Sequence, residues 1–421
     1  MRKGSLESEA SKGKKRAKKV TRKNIIIMLI WLAITIFVVY QLIQLIMYTL
    51  GKRDKDKMWL YNTVNNIVGV VASNKSPSDI TEEYTVKFAG LGDIYFTTNM
   101  IKGAKNDTTY DFTEGTEEIS DKLKEYDLVV ASLKTPIANS KLGYSTKTVY
   151  NAPQSVTELL KALNISALAT ATNHSLDKNE IGVEDTIANL EEAQIKQVGI
   201  NAESRKAPII LNKNNINIGF LSYATSSKVK MSNKNSYLLN VFDEEELKQD
   251  IEYLKDNQVD FIVAYLHVPN EDVTMVNSTQ KQNTEKLFEA GVDVVLGTGS
   301  MVVQESVEDQ TSDNKKIYTI YSLGDFCGSY VTDENCLSVI ANIDFSKTII
   351  KDKDGNVKST NTSMNINKPT AIWTVVDNTY SKTLYFLDDE IKKYDAGNST
   401  LSSKEYKKMK EANERISTLF N

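Results

Sequence analysis

Imidazole is scarce in this chain: its 421 residues include two histidines, His174 and His267. A histidine can ligate a metal or carry a proton, and both uses need it held at a defined point of the fold. His174 follows Asn173 after the run ALATAT (167–172), and His267 closes the run DFIVAYLH (260–267). Each stands at the carboxyl end of a predicted strand, where α/β sheets tend to place their function. A plainer use stays open for both, as an Asn-His turn capping backbone groups and as a satisfied strand-end side chain before Val-Pro. The other strand ends contribute Gly92-Asp93, Ser132-Leu133-Lys134-Thr135-Pro136, Gly297-Thr298-Gly299-Ser300-Met301 and Tyr321-Ser322-Leu323-Gly324-Asp325-Phe326.

The elements that must position these residues are legible as short β-rich runs alternating with helical ones. Predicted strands cover 86–92, 127–133, 167–172, 216–224, 260–267, 292–298 and 317–324. Predicted helices cover 116–124, 155–163, 182–193, 244–257 and 280–290, with Ser155 and Glu158 forming a capping-box pattern. Such alternation is an α/β domain with a largely buried sheet. Three later strands, 336–345, 371–376 and 384–387, come without helices between them and predict an antiparallel portion. Residues 402–420 read as a polar terminal helix, and no internal repeat is visible.

In this order the segments resemble the CapA-type proteins of capsule and poly-γ-glutamate synthesis, whose domain looks like a calcineurin-type metallophosphatase. AGLGDI resembles the family's opening GD motif, and DLVVASLKTPI its D-x-x-x-x-N-L-E-T-P segment. NAPQSVTELLKALNISALATATNHSLDKNEIGVEDTIANLEEAQIKQVGI resembles the long block built on N-H-x-x-D-x-G-x-x-G-x-x-x-T. LHVPNE, which ends in Glu271, stands for H-W-G-x-E, GTGSMVVQ for G-H-H-P-H-V-x-Q, and YSLGDF for Y-S-L-G-N-F. The resemblance implies a layered sandwich of two central β-sheets flanked by helices.

It also implies a ligand set for two metals, which needs carboxylate, amide and imidazole groups converging on cations about 3.5–4 Å apart. Asp93, Asn173 and His267 match metal-ligand positions, and His174 matches a proton donor beside them. Two departures weaken the set. Lys134 stands where the family has glutamate, and an ammonium repels a neighbouring cation by several kcal/mol at an effective dielectric of ~20. GTGSM supplies none of the imidazoles of G-H-H-P-H: Thr298 and Ser300 offer hydroxyls, and Met301 a soft thioether. The expectation is no resident cofactor, at most one weakly bound divalent cation, and a cleft formed by Asp93, Lys134, Asn173, His174, His267, Glu271, Thr298 and Ser300. Lys134 can pair with Asp93 or another carboxylate in place of a metal.

The charge is unevenly distributed. Ten Lys/Arg against Glu7 and Glu9 give residues 1–50 a balance of +8, so a whole-chain charge of −4 leaves −12 for the remainder. A body that acidic excludes nucleic acid as a partner. Residues 25–50 carry no charge and are long enough to cross a bilayer. The basic flank before them predicts an inward amino terminus and an exported body. GLGDI and GTGSM open no nucleotide-binding loop, and no G-x-S-x-G elbow is present. Cys327 and Cys336, on either side of a short turn, are either a bridge or two small hydrophobes; the bridge is the expectation.

The predicted organisation is a basic cytoplasmic tail (1–23), one transmembrane helix (24–50), a stalk (51–84), a CapA-like extracellular domain (85–390) and a C-terminal linker with a polar helix (391–421). The resemblance implies an accessory, non-catalytic role in making, exporting or attaching a surface polymer such as capsule or poly-γ-glutamate. Its expected partners are the membrane, polymer synthase subunits and the anionic polymer. The alternatives are a metal-dependent phosphoesterase or polymer hydrolase, and a surface domain that senses an anionic polymer.

Overall fold

The computed structural model describes residues 79–312, 314–328 and 332–420. The tail, the expected anchor at 24–50 and residues 51–78 of the expected stalk lie outside the described residues. Among the described residues no helix is long and apolar enough to cross a membrane. From Asp79 onward the described residues form one compact unit.

Burial with a period of two divides this unit into layers. In β1 (Ile80–Ile94), Val86 and Phe88 face one core while Ala89 and Leu91 face another. The parallel neighbour β4 (Leu128–Leu133) repeats the division, with Val130 on the first side and Val129 and Ala131 on the second. Strand β5 (Ile165–Ala169) and then β6 (Lys196–Val198) extend this sheet in parallel. On the other side of β1, β14 (Leu337–Lys351), β15 (Val357–Val376) and β16 (Lys382–Phe386) follow as an antiparallel meander. The short β13 (Asp325–Cys327) joins the end of β1 in parallel.

The second sheet has the order β11 (Ser306–Gln310), β12 (Lys316–Ile320), β10 (Val294–Thr298), β9 (Phe261–His267), β8 (Ile216–Ala224) and β7 (Ile209–Lys213). Its four inner strands are parallel and both edges antiparallel. Phe261, Val263 and Tyr265 point into the core shared with the first sheet, and Ile262, Ala264 and Leu266 point outward. A separate hairpin, β2 (Lys105–Asn106) with β3 (Thr109–Tyr110), follows α1 (Thr98–Gly103).

Helices α2 (Glu117–Leu123) and α3 (Val156–Ala162) cover the outer face of the first sheet through Ile119, Leu123, Val156 and Leu159. Helices α5 (Glu244–Asp256) and α6 (Ser278–Ala290) cover the second through Leu247, Ile251, Leu254 and Leu287. Helix α4 (Asn179–Glu192) follows the Asn173-His174 turn. The result is an α/β unit of two mixed sheets with helices outside them. Gly92 permits the closest approach at the site end, because a Cβ there would lie 2.1 Å from the Gly324 carbonyl oxygen.

Several expectations need correction. The folded unit begins within the expected stalk: β1 starts at Ile80 and pairs there with Lys351. Ser155 makes no capping hydrogen bond, since a turn from Pro153 precedes α3; the capping box lies instead at Asn277 and Gln280. Cys327 and Cys336 form no disulfide. Cys327 packs with the outer core of the first sheet, whereas Cys336 packs against the inter-sheet core and directs its Sγ to the Thr332 carbonyl. The two side chains thus serve opposite faces.

Residues 403–419 form a helix that packs into the fold. After α7 (Leu387–Asp395), α8 (Ser403–Leu419) lays Met409, Ala412 and Ile416 into the inter-sheet core, and Trp373 Nε1 donates to Glu405 at 2.7 Å. Ile416→Ala should therefore cost about 2–4 kcal/mol in denaturant unfolding, against less than about 0.5 kcal/mol for the exposed Lys410→Ala. Equal, small effects at both positions would show that α8 contributes nothing to the fold.

Candidate functional site

Strand register assembles the site before any side-chain contact is considered. Asp93 at the end of β1 is flanked by Ser132 on β4 and Asp325 on β13. His267 at the end of β9 lies beside Thr298 on β10. All five side chains are buried, and the carboxyl ends of the two sheets face one another.

Asp93 ties the sheets together. Ser132 Oγ donates to its Oδ1 at 2.6 Å within the first sheet, and the Gly299 backbone N–H donates to its Oδ2 at 3.0 Å from the second. Gly299 has φ +98°, and a Cβ there would lie 2.5 Å from the Val268 carbonyl oxygen. That position therefore resists any side chain, an imidazole included.

His267 is equally committed. Its Nδ1 lies 2.9 Å from Thr298 Oγ1 and its Nε2 3.1 Å from Asn173 Oδ1. The amide oxygen can only accept, so Nε2 carries the proton and Nδ1 accepts from the threonine hydroxyl. Burial pushes the His267 pKa down to about 4 despite the carboxylate of Asp93 nearby. The imidazole is therefore neutral at pH 7.

His174 hydrogen-bonds Asp177 Oδ2 through Nδ1 at 2.6 Å and stacks on Tyr150 with ring centroids 4.2 Å apart. Burial lowers its pKa, against the pull of Asp177. Its Nε2 is buried without a hydrogen-bond partner among the described residues, as are Ser300 Oγ and Asp325 Oδ1. Tyr150 stacks in turn near Tyr95, whose ring lies 5.0 Å below Lys134 Nζ.

Lys134, 1% exposed, is the one lysine among the largest fully buried side chains of the described residues. It does not pair with Asp93, whose oxygens accept from Ser132 and Gly299. Its nearest anionic partner among the described residues is Glu271 Oε1 at 3.7 Å, and Lys228 Nζ lies 3.7 Å from the same oxygen. Burial pushes the Glu271 carboxyl up, but Lys134 and Lys228 outweigh it and hold the pKa below the usual range. Asp325 behaves oppositely: burial raises its pKa well above the ordinary value, although Lys134 and the Tyr95 hydroxyl, donating at 2.8 Å, draw it down.

As a ligand set for two cations these groups do not fit. Asp93, His267 and Asn173 are hydrogen-bonded to protein neighbours, the last two to each other. A buried ammonium stands beside them. Among the described residues no three His, Cys, Asp or Glu side chains are placed to hold a metal.

The sequence brought Asp93, Lys134, Asn173, His174, His267, Glu271, Thr298 and Ser300 to one region, and the structure joins them there. Tyr95, Tyr150 and Lys228 were not foreseen, and Asp177 and Asp325, although inside the matched segments, were given no role. Asp177 was readable three residues after His174; the tyrosines carry no local signal.

The family is decided by a match between residues 87–330, more than half of the chain, and the model described as bacterial capsule synthesis protein PGA_cap. The chain belongs to this family. Among curated proteins none matches. Solved structures give fainter likenesses. The calcineurin-like phosphoesterase YfkN from Bacillus subtilis is 13% identical, with 80% of this chain and 98% of that one covered and a TM-score of 0.39. The 5'-nucleotidase precursor from Thermus thermophilus is 11% identical, with 67% and 54% covered and a TM-score of 0.37. The sulfate thiohydrolase SoxB of the same organism is 11% identical, with 67% and 56% covered and a TM-score of 0.34. The chain thus spans about half the length of the latter two, and at these scores the likenesses carry no argument about chemistry.

The neutral, buried His267 has a measurable consequence. Between pH 6.5 and about 4 the unfolded chain takes up a proton that folded His267 refuses, so stability falls as pH falls through that window. The contribution is on the order of 3 kcal/mol. The stability difference between the natural protein and His267→Gln should narrow by that amount from pH 7 to pH 4. A difference independent of pH would contradict the neutral, buried imidazole.

Proposed function

We propose that this chain is an exported, membrane-anchored accessory protein of capsule synthesis whose cleft does not hydrolyse. Family membership supports the capsule-related role. The uncharged run at 25–50 behind a basic flank supports the anchor, with the body outside the cell. The observation that carries the non-hydrolytic reading is Lys134, a buried ammonium where the resemblance places an acidic metal ligand. Gly299 adds to it, because its backbone leaves no room for an imidazole. On this reading the protein positions or passes on a surface polymer made by membrane-bound synthase subunits.

One observation favours a second reading, hydrolysis. His174, oriented by Asp177 and with Nε2 unengaged, has the arrangement of a general acid or base. A single assay separates the two. The full-length protein should turn over bis(p-nitrophenyl) phosphate no faster than His174→Ala, with or without Mn²⁺ or Zn²⁺. Turnover that metal stimulates and His174→Ala abolishes would establish the hydrolase instead.

A further inference from the structure

Lys134 and Lys228 approach the same oxygen of one carboxylate, and neither approach is a hydrogen bond. Both nitrogens stand 3.7 Å from Glu271 Oε1, beyond ordinary N–H···O range. The three groups differ in exposure. The Lys134 side chain is 1% exposed, Glu271 is 43% exposed and Lys228 is 46% exposed. Glu271 also lines an open cleft with Asn173, Ser226, Ser227 and Lys228. The carboxylate thus stands between the buried ammonium and the cleft.

We propose that this cleft is a carboxylate-binding site stoppered by Glu271, whose side chain holds the place that a ligand's carboxylate takes. The inference rests on the reading that Lys134, rather than a metal, supplies the positive charge of the cleft. A buried ammonium needs an anion, since leaving it unpaired is costly. Glu271 meets that need by charge alone, without a hydrogen bond from either lysine. A half-exposed ion pair of this kind is weak and exchangeable.

The surroundings are suited to exchange. The backbone N–H groups of Asn270 and Asp272, on either side of Glu271, bond to Gly299 and Ser300 carbonyls at 3.4 and 2.9 Å. The loop is thereby anchored while the Glu271 side chain remains part-exposed. Ser300 Oγ, buried in the segment that holds this loop, lacks a hydrogen-bond partner among the described residues. A ligand carboxylate gives Lys134 and Lys228 the same charge that Glu271 gives them. The incumbent is itself a carboxylate, which is why this group is assigned rather than a phosphate.

Calorimetric titration of the full-length protein in EDTA, with glutarate and with inorganic phosphate, tests the proposal. Glu271→Gln removes the competing charge and should bind glutarate roughly fivefold more tightly than the natural protein, the scale of one part-screened ion pair. Adding Lys134→Met should abolish the binding. Adding Lys228→Met, at an exposed position that does not endanger folding, should weaken it. Binding by Glu271→Gln no tighter than natural, or unaffected by Lys228→Met, overturns the stopper. Preference for phosphate over glutarate overturns the carboxylate assignment. Binding that appears only with added Mn²⁺ defeats the metal-free reading of the cleft, whereas no binding in any variant, with or without Mn²⁺, overturns this inference alone.

Discussion

The Asp93 carboxylate is the interaction on which the site depends. It is fully buried, and a buried charge persists only if its oxygens are satisfied. One oxygen is satisfied within its own sheet by Ser132, the other across the sandwich by the Gly299 N–H. That second bond joins the two sheet ends, as does the Tyr265 hydroxyl donating to the Leu91 carbonyl at 2.9 Å. The loop after β10 has at Gly299 a backbone conformation that favours glycine, which excludes a side chain there.

Lys134 lies near Glu271, over the face of Tyr95. His267 stays neutral between Thr298 and Asn173, which spares the cleft a further buried cation. On the proposed reading, hydrogen bonds and one buried ammonium perform the electrostatic work that the family resemblance would assign to cations. Proximity of the matching residues survives while their ligating atoms are engaged elsewhere.

Much of this was legible in the chain because strands announce themselves. The runs ending at Asp93, Lys134, Asn173 and His267 are apolar, bounded by turn residues and separated by helical patterns, so the strand-end rule gathered them without any contact information. Pairings between side chains were less accessible. Nothing local distinguishes Glu271 from Asp93 as the partner of Lys134, because Glu271 reaches it on a loop held by the Gly299 and Ser300 carbonyls, distant in sequence. The cysteines misled for a related reason: closeness along the chain does not reveal that Cys327 and Cys336 face different cores. Helix α8 was recognised, but its charged residues obscured the stripe of Met409, Ala412 and Ile416 that joins it to the fold.

The central claim is that Lys134 stands in the place of a cation, and direct titration with Mn²⁺ tests it most simply. Calorimetry on the full-length natural protein should detect no stoichiometric pair of sites, while Lys134→Glu should bind at least one Mn²⁺ more tightly than the natural protein does. Two tight Mn²⁺ sites per natural chain, unimproved by Lys134→Glu, would contradict the claim.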